Sequence, residues 1–287
     1  MKSLLACSLA SLLLSATGSP LLEEEQRQVQ APPAALELDS FYGKYVEVDG
    51  YPIVGSPRVD DRALLEAAFL VEKMFAHLPG LAGAMVASGS RLIVMDHEEF
   101  TSDIPEYGWL EPPEFWDRRA RGLGGSRTDP YASCAEENLL GYPGDPYHEE
   151  SITIHEFAHN IHLRGMARLE PDFDGKVLAA YRAALEAGKW EGTYAATNHH
   201  EYWAEAVQSW FDTNRQPDHD HNFVDTRAEL REYDPGIAAL CEHVFGDGEW
   251  RYTRPETRLS GHLEDYRPEE APTFSWPERL SDVELDR

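Results

Sequence analysis

Two histidines and a glutamate within Ser151–His162, SITIHEFAHNIH, have the spacing of a metal site. Residues four apart on a helix project from one face, so His155 and His159 would aim their imidazoles at one point. Glu156 lies at the neighbouring angle, where it can accept a proton from water on a metal without binding the metal. This His-Glu-x-x-His pattern predicts a zinc-dependent hydrolase. The apolar residues between them predict a largely buried helix, in which a metal-free pair of histidines with protein partners is the alternative.

The third ligand has to come from another part of the chain. A metzincin would carry a histidine at position 165, where this sequence has Gly165. His162 lies two helical turns from His155, about 10 Å along the axis, so we expect it at a helix end or behind a ligand. A thermolysin-like chain would place a glutamate near position 179, but the sequence there, LAAYR, has no carboxylate.

A second pair of residues four apart occurs in Thr193–Phe211, TYAATNHHEYWAEAVQSWF. Glu201 and Glu205 share one helical face. One carboxylate would complete a His₂Glu zinc site that keeps a position for water. The other would hydrogen-bond a ligand histidine and fix its tautomer. The alternative is a solvent-exposed acidic face.

HEFAH followed further along the chain by YAATNHHEYWAEAV resembles the zincin metallopeptidases of the anthrax lethal factor and Pro-Pro endopeptidase type. The resemblance covers residues 150–212. It implies Glu201 as the third zinc ligand and Glu205 as the partner of a ligand histidine. It also implies that Tyr194, seven residues before Glu201, is the active-site tyrosine. Upstream the chain departs from the family, so the family's cleavage preferences do not carry over.

The expected chemistry is peptide-bond hydrolysis with one Zn²⁺, which lowers the pKa of a bound water to about 7. Glu156 would act as general base. Tyr194, through the resemblance, would donate to the developing oxyanion, and His199 or His200 are the alternatives by proximity. Two other functions stay open. One is a non-peptide amide or ester hydrolase. The other is a non-catalytic binding or toxin-like module with structural zinc closed by His199 or His200, but such a site would not need Glu156.

The charge balance limits the partners of this protein. It has 52 acidic and 25 basic residues, a formal net charge of −27. Nucleic acids and anionic membranes bind basic surfaces, so both are excluded as partners. We expect a monomer that acts on a peptide or protein substrate.

The first residues, MKSLLACSLASLLLSATGSP, have the layout of a secretory signal peptide. Lys2 precedes an apolar run that is too short to span a bilayer, and small residues follow at Ala16-Thr17-Gly18. We therefore predict a signal peptide at residues 1–18, a flexible leader at 19–36 and a secreted protein without a membrane anchor. Cleavage leaves Cys134 and Cys241, which form either one disulfide or two buried thiols.

Residues 37–287 are predicted to form one zincin-like catalytic domain of the α+β class, with a small N-terminal sheet. KYVEVDGYPIVG predicts a hairpin around Asp49-Gly50, and RLIVMD predicts a buried strand. Helices are predicted over residues 60–78, 151–164, 173–189 and 199–213, with a shorter pair broken at Asp234-Pro235-Gly236. From about residue 254 an extended tail is expected to wrap the domain.

Each of three segments allows two interpretations of its structure or function. Residues 98–147 form either a lid or an irregular covering loop. Within them, the resemblance implies that Cys134–Tyr147, CAEENLLGYPGDPY, forms a substrate-pairing strand and its rim, and the alternative is an irregular loop. Pro217–Asp225, PDHDHNFVD, is either a second cation site or a solvated acidic loop.

Overall fold

The hairpin predicted around Asp49-Gly50 opens the sheet. In the computed structural model, which describes residues 27–285, β1 (Lys44–Val48) pairs antiparallel with β2 (Tyr51–Gly55). Asp49 and Gly50 have φ angles of 49° and 80°. A two-residue turn with positive φ at both positions matches the twist of the flanking strands, which is why the Asp-Gly pair predicted it.

Three more strands complete a mixed five-stranded sheet in the order β1-β2-β3-β5-β4. β3 (Arg91–Met95) runs parallel to β2 and to β5 (Tyr131–Ala135). The two-residue β4 (Gly122–Leu123) runs antiparallel to β5 and forms one edge. The prediction of a mixed α+β class is confirmed at this level.

Helices surround the sheet and form most of the second half of the chain. They are α1 (Asp61–Phe75), α2 (Leu81–Ala87), α3 (Pro113–Arg119), α4 (Glu136–Leu140), α5 (Ile152–Asn160), α6 (Ala167–Leu169), α7 (Phe173–Glu186), α8 (His199–Trp210), α9 (Arg227–Tyr233), α10 (Pro235–Phe245) and α11 (Pro255–Arg258). A π-helical segment, Ile161–Met166, joins α5 to α6. Asp234 accepts from Ile237 N–H at the start of α10, so the predicted break falls at the residue before Pro235.

The two faces of the sheet pack against different parts of the chain. Ile53 and Leu92 face a large core that also contains Phe157 of α5 and Trp203 of α8. The alternate strand residues, such as Ile93, face a smaller cluster with Ile104, Tyr107 and Leu110. Part of the 98–147 segment therefore covers the second face of the sheet.

The ends of the described chain pack on the domain. Gln30 bridges to Tyr45, and Arg27 pairs with Glu72 at 3.0 Å. Residues 27–36, predicted as part of a flexible leader, thus already contact the fold, while residues 1–18 lie outside the described range. In the tail, Leu263 and Phe274 are buried.

Cys134 and Cys241 are free and buried. The pairing left open by the sequence is therefore resolved as two thiols rather than a disulfide. Among residues 27–285, no helix has the length and apolar character needed to cross a membrane.

Candidate active site

Helix α5 presents its histidines on the side opposite to its packed face. Ser151 Oγ caps the helix by accepting Ile154 N–H at 3.3 Å. Ile154 and Phe157 are fully buried in the core. Because this apolar face of α5 is turned to the core, His155 and His159 lie at the floor of a cleft, where they are 6% and 7% exposed.

Helix α8 packs against α5 and brings its acidic face to the same cleft. Asn198 Oδ1 accepts the backbone N–H groups of His200 and Glu201 at 2.8 and 3.1 Å, which fixes where the helix begins. Trp203 Nε1 donates to the carbonyl of Ala158 at 2.9 Å, which ties α8 to α5. Glu201 therefore points back over the two histidines.

The three donor atoms of His155, His159 and Glu201, here called the first donor set, lie at the corners of a nearly equilateral triangle. The two imidazole Nε2 atoms are 3.2 Å apart, and each is 3.2 Å from Glu201 Oε2. Zinc with N and O ligands at about 2.0–2.1 Å in a tetrahedron holds its ligand atoms about 3.3 Å apart. The spacing and chemistry of the first donor set fit a zinc ion.

The charge balance of the first donor set favours a cation between its atoms. Burial alone would lower the pKa of His155, but the hydrogen bond with Glu201 and the nearby carboxylates raise it well above its usual value. Burial alone would raise the pKa of Glu201, but His159 and His155 hold it far below the ordinary glutamate range. These shifts mean that the carboxylates favour a positive charge at the imidazoles, and a bound cation would take the place of the imidazolium proton.

A glutamine fixes the tautomer of His155. The Nδ1 atom lies 2.8 Å from Oε1 of Gln208, which can only accept, so Nδ1 carries the proton and Nε2 keeps its lone pair. Gln208 Nε2 donates to Glu150 Oε2 at 2.9 Å, and Arg215 donates to Glu150 Oε1 at 2.5 Å. Gln208 was missed from the sequence, although it lies seven residues after Glu201 and so on the same helical stripe.

Glu205, predicted as the carboxylate that orients a ligand histidine, lies farther from it than expected. Its Oε1 is 3.6 Å from His155 Nδ1, beyond hydrogen-bonding range. Glu205 Oε2 instead accepts from Asn214 at 3.1 Å and lies 3.6 Å from His221 Nε2. The orienting hydrogen bond is made by Gln208, because that residue is one turn farther along the stripe.

Glu156 and Tyr194 border a cleft of about 760 Å³ above the first donor set. Glu156 is partly exposed. Burial raises the pKa of its carboxyl group, although His155 and His159 act to lower it. The Tyr194 ring lies 6.3 Å from the His155 ring, centroid to centroid. Burial, Glu201 and Glu156 raise the pKa of Tyr194, so its hydroxyl keeps its proton and can donate a hydrogen bond.

His199 and His200 lie in the first turn of α8, close to Asp174. Their Nε2 atoms are 3.0 and 3.6 Å from Oδ1 of Asp174 on α7. His200 also lines the cleft. Their role in contacting substrate stays a prediction. His162 lies beside them, 3.1 Å from the same Asp174 oxygen.

A glycine-bearing stretch forms the opposite wall of the cleft. A Cβ on Gly124 would lie 2.4 Å from Cβ of His159, and a Cβ on Gly122 would lie 2.7 Å from Ile152. Only residues without a side chain allow β4 and the loop after it to approach α5 this closely. β5, which contains Cys134, already has partners on both sides, so the free edge belongs to β4 and not to the segment Cys134–Tyr147.

The loop at residues 217–225 is folded back on itself. Asp218 Oδ1 accepts from the backbone N–H of Asp220 and from the backbone and Nδ1 of His221, at 2.8 to 2.9 Å. The carbonyl of Asp220 accepts from Tyr194 N–H at 2.7 Å. The loop therefore positions Tyr194 at the cleft rim.

Comparisons with known proteins give little beyond this geometry. No family model matches the chain, and no curated protein matches it. Among solved structures, it is similar to the Pro-Pro endopeptidase PPEP-2 from Paenibacillus alvei. The TM-score is 0.45 and the identity 15%, over 67% of this chain and 97% of that one. A likeness of this size leaves the function to be argued from the site itself.

Proposed function

We propose that this protein is a secreted zinc-dependent peptidase with a zincin-like catalytic domain. The observation that carries the proposal is the first donor set, whose three atoms lie 3.2 Å apart. A partly exposed glutamate follows directly on the same helix. A bound zinc ion would supply an activated water and polarise the scissile carbonyl. The signal peptide predicted at residues 1–18 supports secretion.

Each side chain has a defined role in this proposal. His155, His159 and Glu201 hold the ion, and Gln208 keeps the His155 Nε2 lone pair directed at it. Glu156 accepts a proton on its carboxylate and delivers it to the leaving amine. Its partial burial keeps the proton affinity of that carboxylate high enough for both steps.

The cleft wall supports an extended peptide as substrate. β4 is an edge strand, and residues 122–125 line the cleft beside α5. The unpaired backbone groups of an edge strand can bind an extended chain by adding it as a further strand. A small amide or ester would not use this edge, which favours the peptidase over the non-peptide hydrolase.

The test combines zinc content with cleavage of a mixed peptide library by the full mature chain. We expect Glu156→Gln to retain zinc and lose cleavage, and Glu201→Ala to lose both cleavage and the ion of the first donor set. Zinc at full occupancy with no cleavage of any peptide would favour the non-peptide hydrolase or a binding module. A folded protein that binds no zinc would refute the proposal.

The role of Tyr194 is tested separately by Tyr194→Phe. Removing an oxyanion donor typically lowers kcat by about 10²–10³. We expect a loss of this order with unchanged zinc content and little change in KM. A Phe variant with wild-type kcat would show that Tyr194 is only structural.

A further inference from the structure

A second group of metal-ligand atoms lies next to the first and shares none of its residues. The ligand atoms of Asp174, His199 and His200 lie within 4.8 Å of one another. His162 joins them from the π-helical segment, with its Nε2 3.1 Å from Asp174 Oδ1. These four residues, here called the second donor set, come from three elements: the extension of α5, the first turn of α7 and the first turn of α8.

The distances from Asp174 Oδ1 to the three imidazole nitrogens are close to the edge length of a tetrahedron of zinc ligands. Nε2 of His199, His162 and His200 lie 3.0, 3.1 and 3.6 Å from it. The expected edge is about 3.3 Å for N and O ligands. The other oxygen of Asp174 is held by Arg127 Nη2 at 2.8 Å, while Oδ1 faces the cluster and has His199 Nε2 as its hydrogen-bond partner at 3.0 Å.

His162 has no conventional role in the fold. It is 1% exposed, and neither of its ring nitrogens makes a hydrogen bond within the described residues. Although its Nε2 is close to Asp174, the direction is wrong for a hydrogen bond. A buried polar group without a partner costs about 1–3 kcal/mol, and coordination to a metal would remove this cost.

In another cluster of residues that could bind a metal, hydrogen bonds within the protein account for the polar groups. Asp96, His97 and Glu136 also converge. There Glu136 accepts from the backbone and ring of His97 and from Asp60 N–H, at 2.8 to 3.1 Å. Asp96 accepts from Glu98 N–H at 2.8 Å. Because hydrogen bonds within the protein account for this cluster, it needs no ion.

We propose that the second donor set binds a second zinc ion, with three imidazoles and one carboxylate as ligands. Four protein ligands leave no position for water, so this site is structural. It would fasten the helix that carries His155 and His159 to the helix that carries Glu201. The proposal is independent of the peptidase activity, since it concerns a separate set of atoms.

The test is the zinc content of the full chain after chelation and reloading with Zn²⁺. We expect two zinc ions per chain in the wild type, and one in a variant with His155→Ala and His159→Ala. Asp174→Asn should also bind one, and the combination of all three substitutions none. Asp172→Asn is the matched control, because it removes an exposed carboxylate from the same region and should retain two ions.

Thermal unfolding provides a second readout. Zn²⁺ should raise the Tm of the variant with His155→Ala and His159→Ala, because it still has the second donor set. Adding Asp174→Asn to that variant should abolish the rise. Should Asp174→Asn fail to fold, His200→Ala decides the question, since His200 is half-exposed and its removal leaves the core intact.

Two results would overturn the proposal. In one, the wild type binds a single zinc ion that is lost in the variant with His155→Ala and His159→Ala. In the other, Asp174→Asn and His200→Ala both retain two. If peptide cleavage is absent while two ions are bound, the proposed function fails but the second site stands.

Discussion

The hydrogen bond from His155 to Gln208 should control zinc affinity. One experiment can compare its contribution with that of Glu205. Gln208→Ala removes the acceptor of the His155 Nδ1 proton at 2.8 Å. It also removes the donor to Glu150 at 2.9 Å. Gln208 is fully buried, so no bulk water replaces either bond.

The magnitude follows from the loss of a buried partner. An unsatisfied buried group costs about 1–3 kcal/mol, and a tenfold change in Kd corresponds to about 1.4 kcal/mol. Without its acceptor, His155 also loses the preference for the tautomer that exposes the Nε2 lone pair. We expect Gln208→Ala to weaken zinc binding by about 10- to 100-fold, the range typical of such orienting residues.

The assay is competition for zinc with a chelator of known affinity, after circular dichroism has shown that each variant is folded. Glu205→Gln is the matched comparison. It keeps an oxygen for Asn214 and changes a group that lies 3.6 Å from His155 Nδ1. We expect less than about a threefold effect there, within a few tenths of a kcal/mol. Equal losses in both variants, or a larger one in Glu205→Gln, would refute the assignment.

Two further perturbations test the cleft. Gly124→Ala should weaken zinc binding and cleavage by more than about tenfold, because its Cβ would lie 2.4 Å from Cβ of His159. Gly83→Ala, which meets nothing within 4 Å in a helix, should raise the free energy of unfolding by about 0.5–1 kcal/mol; an equal loss of zinc in both would contradict the packing argument. His221 is a pH test: burial opposes its charge, but the carboxylates of Glu205 and Asp218 raise its pKa to about 9. Because its pKa is raised in the folded state, protonated His221 stabilises the fold fully below about pH 6.5. This stabilisation is lost as the pH rises through about 9. The Tm difference between wild type and His221→Asn should therefore shrink between those values, and a constant difference would contradict this assignment.

Local chemistry made part of this fold and site predictable. The Asp-Gly pair specifies its own turn, since few other residues accept positive φ at both positions. His155 and His159 share a face whatever the rest of the fold does, because their spacing is set by the helix itself. Trp203 likewise marks the packed side of α8, which leaves Glu201 on the open side.

Contacts between elements could not be predicted from the sequence in the same way. Gln208 lies on the same stripe as Glu201. The packing of α8 against α5 decides which residue of that stripe reaches His155. β4 has two residues, too few for any periodicity to be recognised. The approach of Asp174 to His199 depends on how α7 packs on α8, which no pattern in either segment encodes.

The cap of α8 links the two donor sets. Asn198 accepts from His200 N–H and Glu201 N–H, so it fixes the first turn of the helix. Successive residues on a helix differ by about 100° in direction. With that turn fixed and Trp203 hydrogen-bonded to α5, Glu201 faces His155 and His159, and His199 faces Asp174. A change in the rotation of α8 would therefore disturb both sites together, and the second ion would oppose that rotation by holding the first turn of α8 to Asp174 of α7.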